Sequence, residues 1–164
     1  IKTRKNLVGV NTHMANKIVQ HALEKNLIKE LKNNDSIKPE VFFNKETRFD
    51  FLIEKNEKKI FIEVKNVTLF RDKNTAEFPD AVTSRGSKHL LTLIDAIKKG
   101  YKSYLLFLVQ IQNMEKFKIA KDIDTEYYKN YILAKKAGVN FLAYRCNISA
   151  KKIFIDKKLK IIND

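Results

Sequence analysis

The sequence predicts an α/β protein, a central mixed β-sheet flanked by helices. Three observations carry that expectation. Apolar residues recur at helical spacing over 11–31, 83–99 and 124–137. Three runs rich in Phe, Ile and Val follow the first of these segments. Two later runs, 101–111 and 139–145, are apolar almost without interruption, as strands covered on both faces are.

Asn11 or Thr12 caps the first helix, whose stripe holds Met14, Ile18, Ala22 and Ile28, flanked by Val19, Leu23 and Leu31. The turn cluster Asn33-Asn34-Asp35-Ser36 ends it near Leu31. Strands are expected over 37–43, 48–54 and 59–67. Residues 70–80 are polar and close with Pro79, so they read as a loop of about ten residues, long enough to carry a role. Thr83 and Ser84 cap a second helix that buries Leu90, Leu93, Ile94 and Ile97 and stops at Gly100. The strand over 101–111 leads to a third helix, 124–137, closed by Gly138. A strand over 139–145 follows, and 151–155 is a last edge piece. Helix, three strands, helix, strand, helix, strand is the order of a layered α/β sandwich.

A chain of 164 residues with 44% hydrophobic content suits one domain with a real core. The longest apolar run, 104–109, is far too short to cross a bilayer, and no secretory segment is legible. The single cysteine, Cys146, excludes an internal disulfide framework and reads as core. A cytoplasmic protein without a membrane partner is expected. The chain starts at Ile1 rather than Met, so a preceding segment is expected. The net charge of +14 suits a phosphate-bearing partner. Lys supplies most of it, a bias that an AT-rich genome also produces.

Two strands carry the chemistry. Along 48–53, Phe49, Phe51 and Ile53 are expected on one face and Asp50 on the other. Along 60–65, Ile60, Ile62 and Val64 share one face, and Glu63 and Lys65 share the other. A hairpin centred between Asn56 and Glu57 sets Asp50 opposite Glu63, with Cβ atoms about 4.5–5.5 Å apart. Facing carboxylates repel unless a cation lies between them, and Mg²⁺ or Mn²⁺ suits such hard oxygen ligands. The Val64 carbonyl is a further candidate ligand. Lys65 projects from the same face roughly 6–7 Å along the strand. This set fits hydrolysis of a phosphodiester. The bland reading is a salt-bridged surface hairpin with Glu63 paired to Lys65 or Arg48.

Glu40, on the first strand, is a candidate third acid, with Glu30 as its rival. Arg85, Lys88 and His89 share a face at the start of the second helix, where backbone N–H groups also favour phosphate. Arg48 joins them as a candidate DNA contact. No zinc spacing links His13, His21 and His89.

Four blocks resemble the sugar fermentation stimulation protein A family. They are Val8-Gly9-Val10-Asn11-Thr12 with Asn16, Thr47-Arg48-Phe49-Asp50-Phe51, Ile62-Glu63-Val64-Lys65-Asn66-Val67-Thr68-Leu69, and Phe78-Pro79-Asp80-Ala81-Val82-Thr83-Ser84-Arg85-Gly86-Ser87-Lys88-His89-Leu90. The resemblance implies a restriction-endonuclease-like PD-(D/E)XK core. It also implies a DNA-binding protein linked to sugar-utilisation genes. In the family an OB-like domain precedes this core, and residues 1–164 then correspond to the core alone. By the same resemblance Asp50, Glu63 and Lys65 fall on metal and catalytic positions, and Glu40 on an acid of the first strand. Thr47 replaces the family's serine, and Phe49 stands where the superfamily's name has proline.

The sequence therefore points to a metal-dependent deoxyribonuclease. The alternative is a non-catalytic DNA-binding regulator of sugar-utilisation genes. DNA is the expected partner, and a homodimer is compatible with the sequence. An RNA- or membrane-binding module lacks the aromatic motif or basic amphipathic end it would need.

Overall fold

The computed structural model describes residues 1, 7–9, 13–149 and 151–163. The caps expected at Asn11 or Thr12 lie outside the described residues. Helix α1 (His13–Glu24) is followed by a 3₁₀ turn (Lys29–Leu31), then β1 (Ser36–Phe42), β2 (Arg48–Lys55) and β3 (Lys58–Val67). A short hairpin, β4 (Leu69–Phe70) and β5 (Thr75–Phe78), precedes α2 (Ser84–Lys98) and β6 (Lys102–Val109). The remainder is β7 (Lys116–Ile119), α3 (Thr125–Ala137), β8 (Asn140–Ile148), β9 (Ile153–Lys158) and β10 (Lys160–Ile161).

The main sheet has the order β1-β2-β3-β6-β8-β9. Its middle pairs, β3–β6 and β6–β8, are parallel, and its outer pairs are antiparallel. Parallel strands buried on both faces account for the unbroken apolar runs of β6 and β8. On one face α1 buries Ile18, Val19, Ala22 and Leu23 against Phe51, Ile62, Leu106 and Leu108. On the other, α2 and α3 bring Leu90, Leu93, Tyr127 and Tyr131 against Phe61, Leu105 and Phe107. The mixed sheet between helices is the expected fold class. Among the described residues no helix is long and apolar enough to cross a membrane.

Three expectations are corrected. The first helix stops at Glu24 instead of reaching Leu31, because Asn26 turns left-handed at φ 57°. Ile28 and Leu31 still reach the core, from the 3₁₀ turn. Residues 70–80 are not a plain loop. They contribute to a second sheet of order β10-β7-β5-β4, in which Thr75, Ala76 and Glu77 are buried. Charge pairing makes this possible: Arg71 Nε donates to both oxygens of Glu77 at 3.1 Å, and its Nη2 donates to Asp122 at 2.8 Å. Finally, Phe49 packs with Phe43 and Phe61, at ring separations of 5.4 and 5.2 Å, on the α2 side rather than with Phe51 and Ile53. Glu40 is left-handed (φ 52°), and its rung opposite Asp50 is missing from a β1–β2 ladder whose register is otherwise unshifted, so the backbone is irregular at this level.

Candidate active site

The β2–β3 hairpin has the register expected from its turn. Asn56 and Glu57 occupy left-handed positions, and the paired residues run from Lys55–Lys58 to Phe51–Ile62. The ladder ends one pair short of Asp50 and Glu63. Beyond that point the Asp50 side chain takes over, and Val64 N donates to Asp50 Oδ2 at 2.7 Å. The second oxygen, Oδ1, accepts from Asn16 Nδ2 of α1 at 2.8 Å. Asp50 is therefore fixed by one backbone and one side-chain donor from opposite sides.

Glu63 is buried at 3% exposure. Its Oε1 accepts from Lys65 Nζ at 2.7 Å and also contacts His89 Nδ1. Lys65 Nζ lies 3.1 Å from the same His89 nitrogen. That nitrogen donates to Glu63 when protonated, or accepts from Lys65 when bare. Glu63 keeps Lys65 as donor in either state.

The electrostatics separate the two acids. Burial, reinforced by the neighbouring Glu63 carboxylate, pushes the Asp50 carboxyl above its ordinary range, against the opposing bonds from Val64 and Asn16. For Glu63, burial also opposes ionisation. Its bond to His89 and the charge of Lys65 outweigh it and hold that carboxyl below the ordinary range.

Asp50, Glu63 and His89 line a cleft of about 530 Å³. Arg48, Arg85 and Lys88 line it, with Phe42 and Glu40. Glu40 faces Arg48 at 3.6 Å, and Lys88 Nζ donates to Glu46 at 3.0 Å. Asp50 and Glu40 also border a second hollow of about 420 Å³, alongside Asn16 and Gln20. The start of α2 is held by its cap, Thr83 Oγ1 accepting from Gly86 N at 3.0 Å, and by Asp124 of α3, which accepts from Thr83 N at 2.8 Å. This anchorage delivers Arg85, Lys88 and His89 to the cleft.

The structure thus brings together Asp50, Glu63, Lys65 and His89, with Val64 at the hinge between the strands. Arg48, Arg85 and Lys88 line the cleft. Glu30 is engaged elsewhere, accepting from Tyr144 at 2.7 Å and pairing with Lys158. Sequence reasoning did not assign roles to Asn16 or Asp124. Asn16 stood only within a family block, and its contact with Asp50 spans a separation that no local pattern encodes.

Among the described residues, no group of three or more His, Cys, Asp and Glu side chains is gathered as a ready-made metal cage. The donors that do meet are hard oxygens, and Asp50 carries a repulsion from Glu63 that a cation would relieve. Two acids beside a carbonyl are donors of the type that hard divalent cations take.

Comparison with known proteins adds an independent line. A family model described as "Sugar fermentation stimulation protein RE domain" matches residues 13–152. A sugar fermentation stimulation protein homolog of Pelagibacter ubique is 76% identical over 163 residues, covering 99% of this chain and 70% of the relative. A homolog from Pseudoalteromonas atlantica is 41% identical, covering 94% of this chain and 67% of the relative. The solved structure of Pyrococcus furiosus SfsA in complex with Ca²⁺ superposes with a TM-score of 0.90 at 27% identity, covering 99% of this chain and 70% of that one.

Proposed function

The chain belongs to the sugar fermentation stimulation protein family, and from that premise we propose that it binds DNA and hydrolyses its phosphodiester bonds with a divalent metal. The observation that carries the reading is the approach of Asp50, from the adjoining strand, to the Glu63–Lys65 pair beside a cleft that Arg48, Arg85 and Lys88 line together with Glu40 and Glu46. Asp50, Glu63 and the Val64 carbonyl would hold Mg²⁺ or Mn²⁺, with Glu40 as a further acid at the border. When bound, the ion supplies charge beside the scissile phosphate. Lys65 orients the attacking water or neutralises the charge that develops on the phosphate oxygens. Arg48, Arg85 and Lys88 contact the flanking phosphates. His89 contacts Glu63 and Lys65 and braces the acid against its neighbour. The Ca²⁺ complex of the Pyrococcus furiosus relative, a hard dication held by a protein of the same family, supports this choice of metal.

The test is calorimetric titration of Mn²⁺ into wild type and Asp50→Ala, run beside a plasmid-cleavage assay. Saturable heat and cleavage in the wild type, both lost in the variant, are expected. Full activity in Asp50→Ala would end the nuclease reading.

One observation favours a second reading, a DNA-binding regulator that does not cut. Glu63 Oε1 is paired with Lys65 and in contact with His89, so partners within the chain can balance its charge. That reading requires DNA binding with a steep salt dependence and no cleavage at any metal concentration.

A further inference from the structure

Phe42 stands 69% exposed at the end of β1. Isolated exposed apolar residues are ordinary on protein surfaces. Phe42 differs by its place. Of the large exposed hydrophobics among the described residues, it alone lines the cleft that holds Asp50 and Glu63.

Its exposure is built in. Phe42 and Arg48 are cross-strand partners at the last rung of the β1–β2 ladder. The turn beyond them is tied by Asn44, whose Oδ1 accepts from Glu46 N at 2.9 Å and Thr47 N at 2.7 Å. The next residue, Phe43, is pinned edge-on against Phe61 at 5.3 Å. Strand alternation then sends Phe42 away from that cluster. The Arg48 guanidinium sits 5.7 Å from the Phe42 ring centre, so the ring is backed by a cation and otherwise open.

We propose that Phe42, backed by Arg48, is a stacking platform for one unpaired nucleobase of the strand whose phosphate enters the cleft, so that single-stranded or frayed DNA is preferred over closed duplex. The inference rests on the reading of this cleft as a DNA site and adds the form of DNA it takes. A base inside a duplex has both faces covered by its neighbours and cannot lie on the ring. An unpaired base can, and such stacking tolerates any base identity. Cations stand beside the ring, although Arg48 and Lys88 also face Glu40 and Glu46 across the cleft. Arg48, Arg85 and Lys88 line the same cleft and suit the phosphates on either side of the base.

The chain contains no tryptophan and six tyrosines, so Phe42→Trp places a lone tryptophan, excited apart from the tyrosines, at the platform. Titration with an oligothymidine in Ca²⁺ should quench that fluorophore strongly, while a blunt duplex of equal length should leave it nearly unchanged. By anisotropy, Phe42→Ala should bind the single strand about tenfold more weakly, Phe42→Trp as tightly as wild type, and duplex affinity should move less than about twofold. An unquenched tryptophan, or single-strand affinity unchanged in Phe42→Ala, overturns the proposal. So does a change in sedimenting mass in Phe42→Ala with intact oligonucleotide binding, which would make the ring a protein contact. Quenching of Phe42→Trp by the single strand, with no cleavage by the chain carrying an intact Asp50 at any Mg²⁺ or Mn²⁺ concentration, would leave the platform standing and remove only the catalytic reading.

Discussion

Asn16 and Asp50 lie 34 residues apart in the chain and 2.8 Å apart in the fold, with Nδ2 donating to Oδ1. This bond fixes the rotation of a carboxylate whose other oxygen is held by Val64 N. Partners that orient a metal ligand typically matter about 10–100-fold in affinity. Asn16→Ala should therefore weaken Mn²⁺ binding by about tenfold in calorimetry while the protein stays folded by circular dichroism. Unchanged affinity would show that Val64 alone orients the acid.

Asp50 should trade stability for chemistry. Burial and the Glu63 carboxylate both disfavour its charged form, so in chelator at neutral pH the fold carries a repulsion that Asp50→Asn removes. The variant should melt higher by roughly 2–4 °C, the shift expected for about 1 kcal/mol in a chain of this size. Saturating Mg²⁺ should raise the melting temperature of the wild type and not that of the variant.

Gly86 sits where α2 meets α3. A Cβ there would fall 2.8 Å from Thr83 Cγ2, 2.9 Å from its Oγ1 and 3.1 Å from the ring of the buried Tyr127. Gly86→Ala gains about 1 kcal/mol of helix propensity. The overpacking costs about 1–3 kcal/mol and strikes the helix cap itself. Urea unfolding should show a net loss. If the proposed DNA cleavage holds, it should fall further than stability explains, because the same turn carries Arg85, Lys88 and His89.

Glu30 supplies a pH signature. Burial raises its carboxyl, but the bonds from Lys158 and Tyr144 prevail and bring it below its ordinary value of 4.5. A carboxyl lowered in the folded state stabilises fully above the unfolded-state value, and that contribution is lost as pH falls through the folded value. Urea midpoints of wild type and Glu30→Gln should differ at about pH 7 and converge towards about pH 3. At neutral pH, Tyr144→Phe should cost about 1 kcal/mol.

Much of this was legible in the chain. Periodicity located all three helices, and the apolar runs located β6 and β8, because both signals come from burial and need no long-range information. The turn at Asn56-Glu57 set the hairpin register as far as Phe51–Ile62, one pair short of Asp50 and Glu63. The second sheet was hidden because β4, β5 and β7 are short, and β5 buries Glu77 in an ion pair with Arg71 that no hydrophobic pattern reports. The end of α1 depended on the left-handed turn at Asn26, inside a stripe whose apolar spacing continued past it. Phe49 lies on the α2 side beside an irregular rung, at the left-handed Glu40, that the apolar alternation of β2 does not report. These are tertiary effects written over a correct local pattern.

The bond from Val64 N to Asp50 carries a consequence for how relatives are judged. The same carboxylate that would grip an ion also caps an orphaned amide where two strands part, so the chain needs an acceptor at that position whether or not it cuts anything. A homologue that had lost catalysis would still be under pressure to retain an acid or amide there. Retention of the aspartate is thus, by itself, poor evidence of activity.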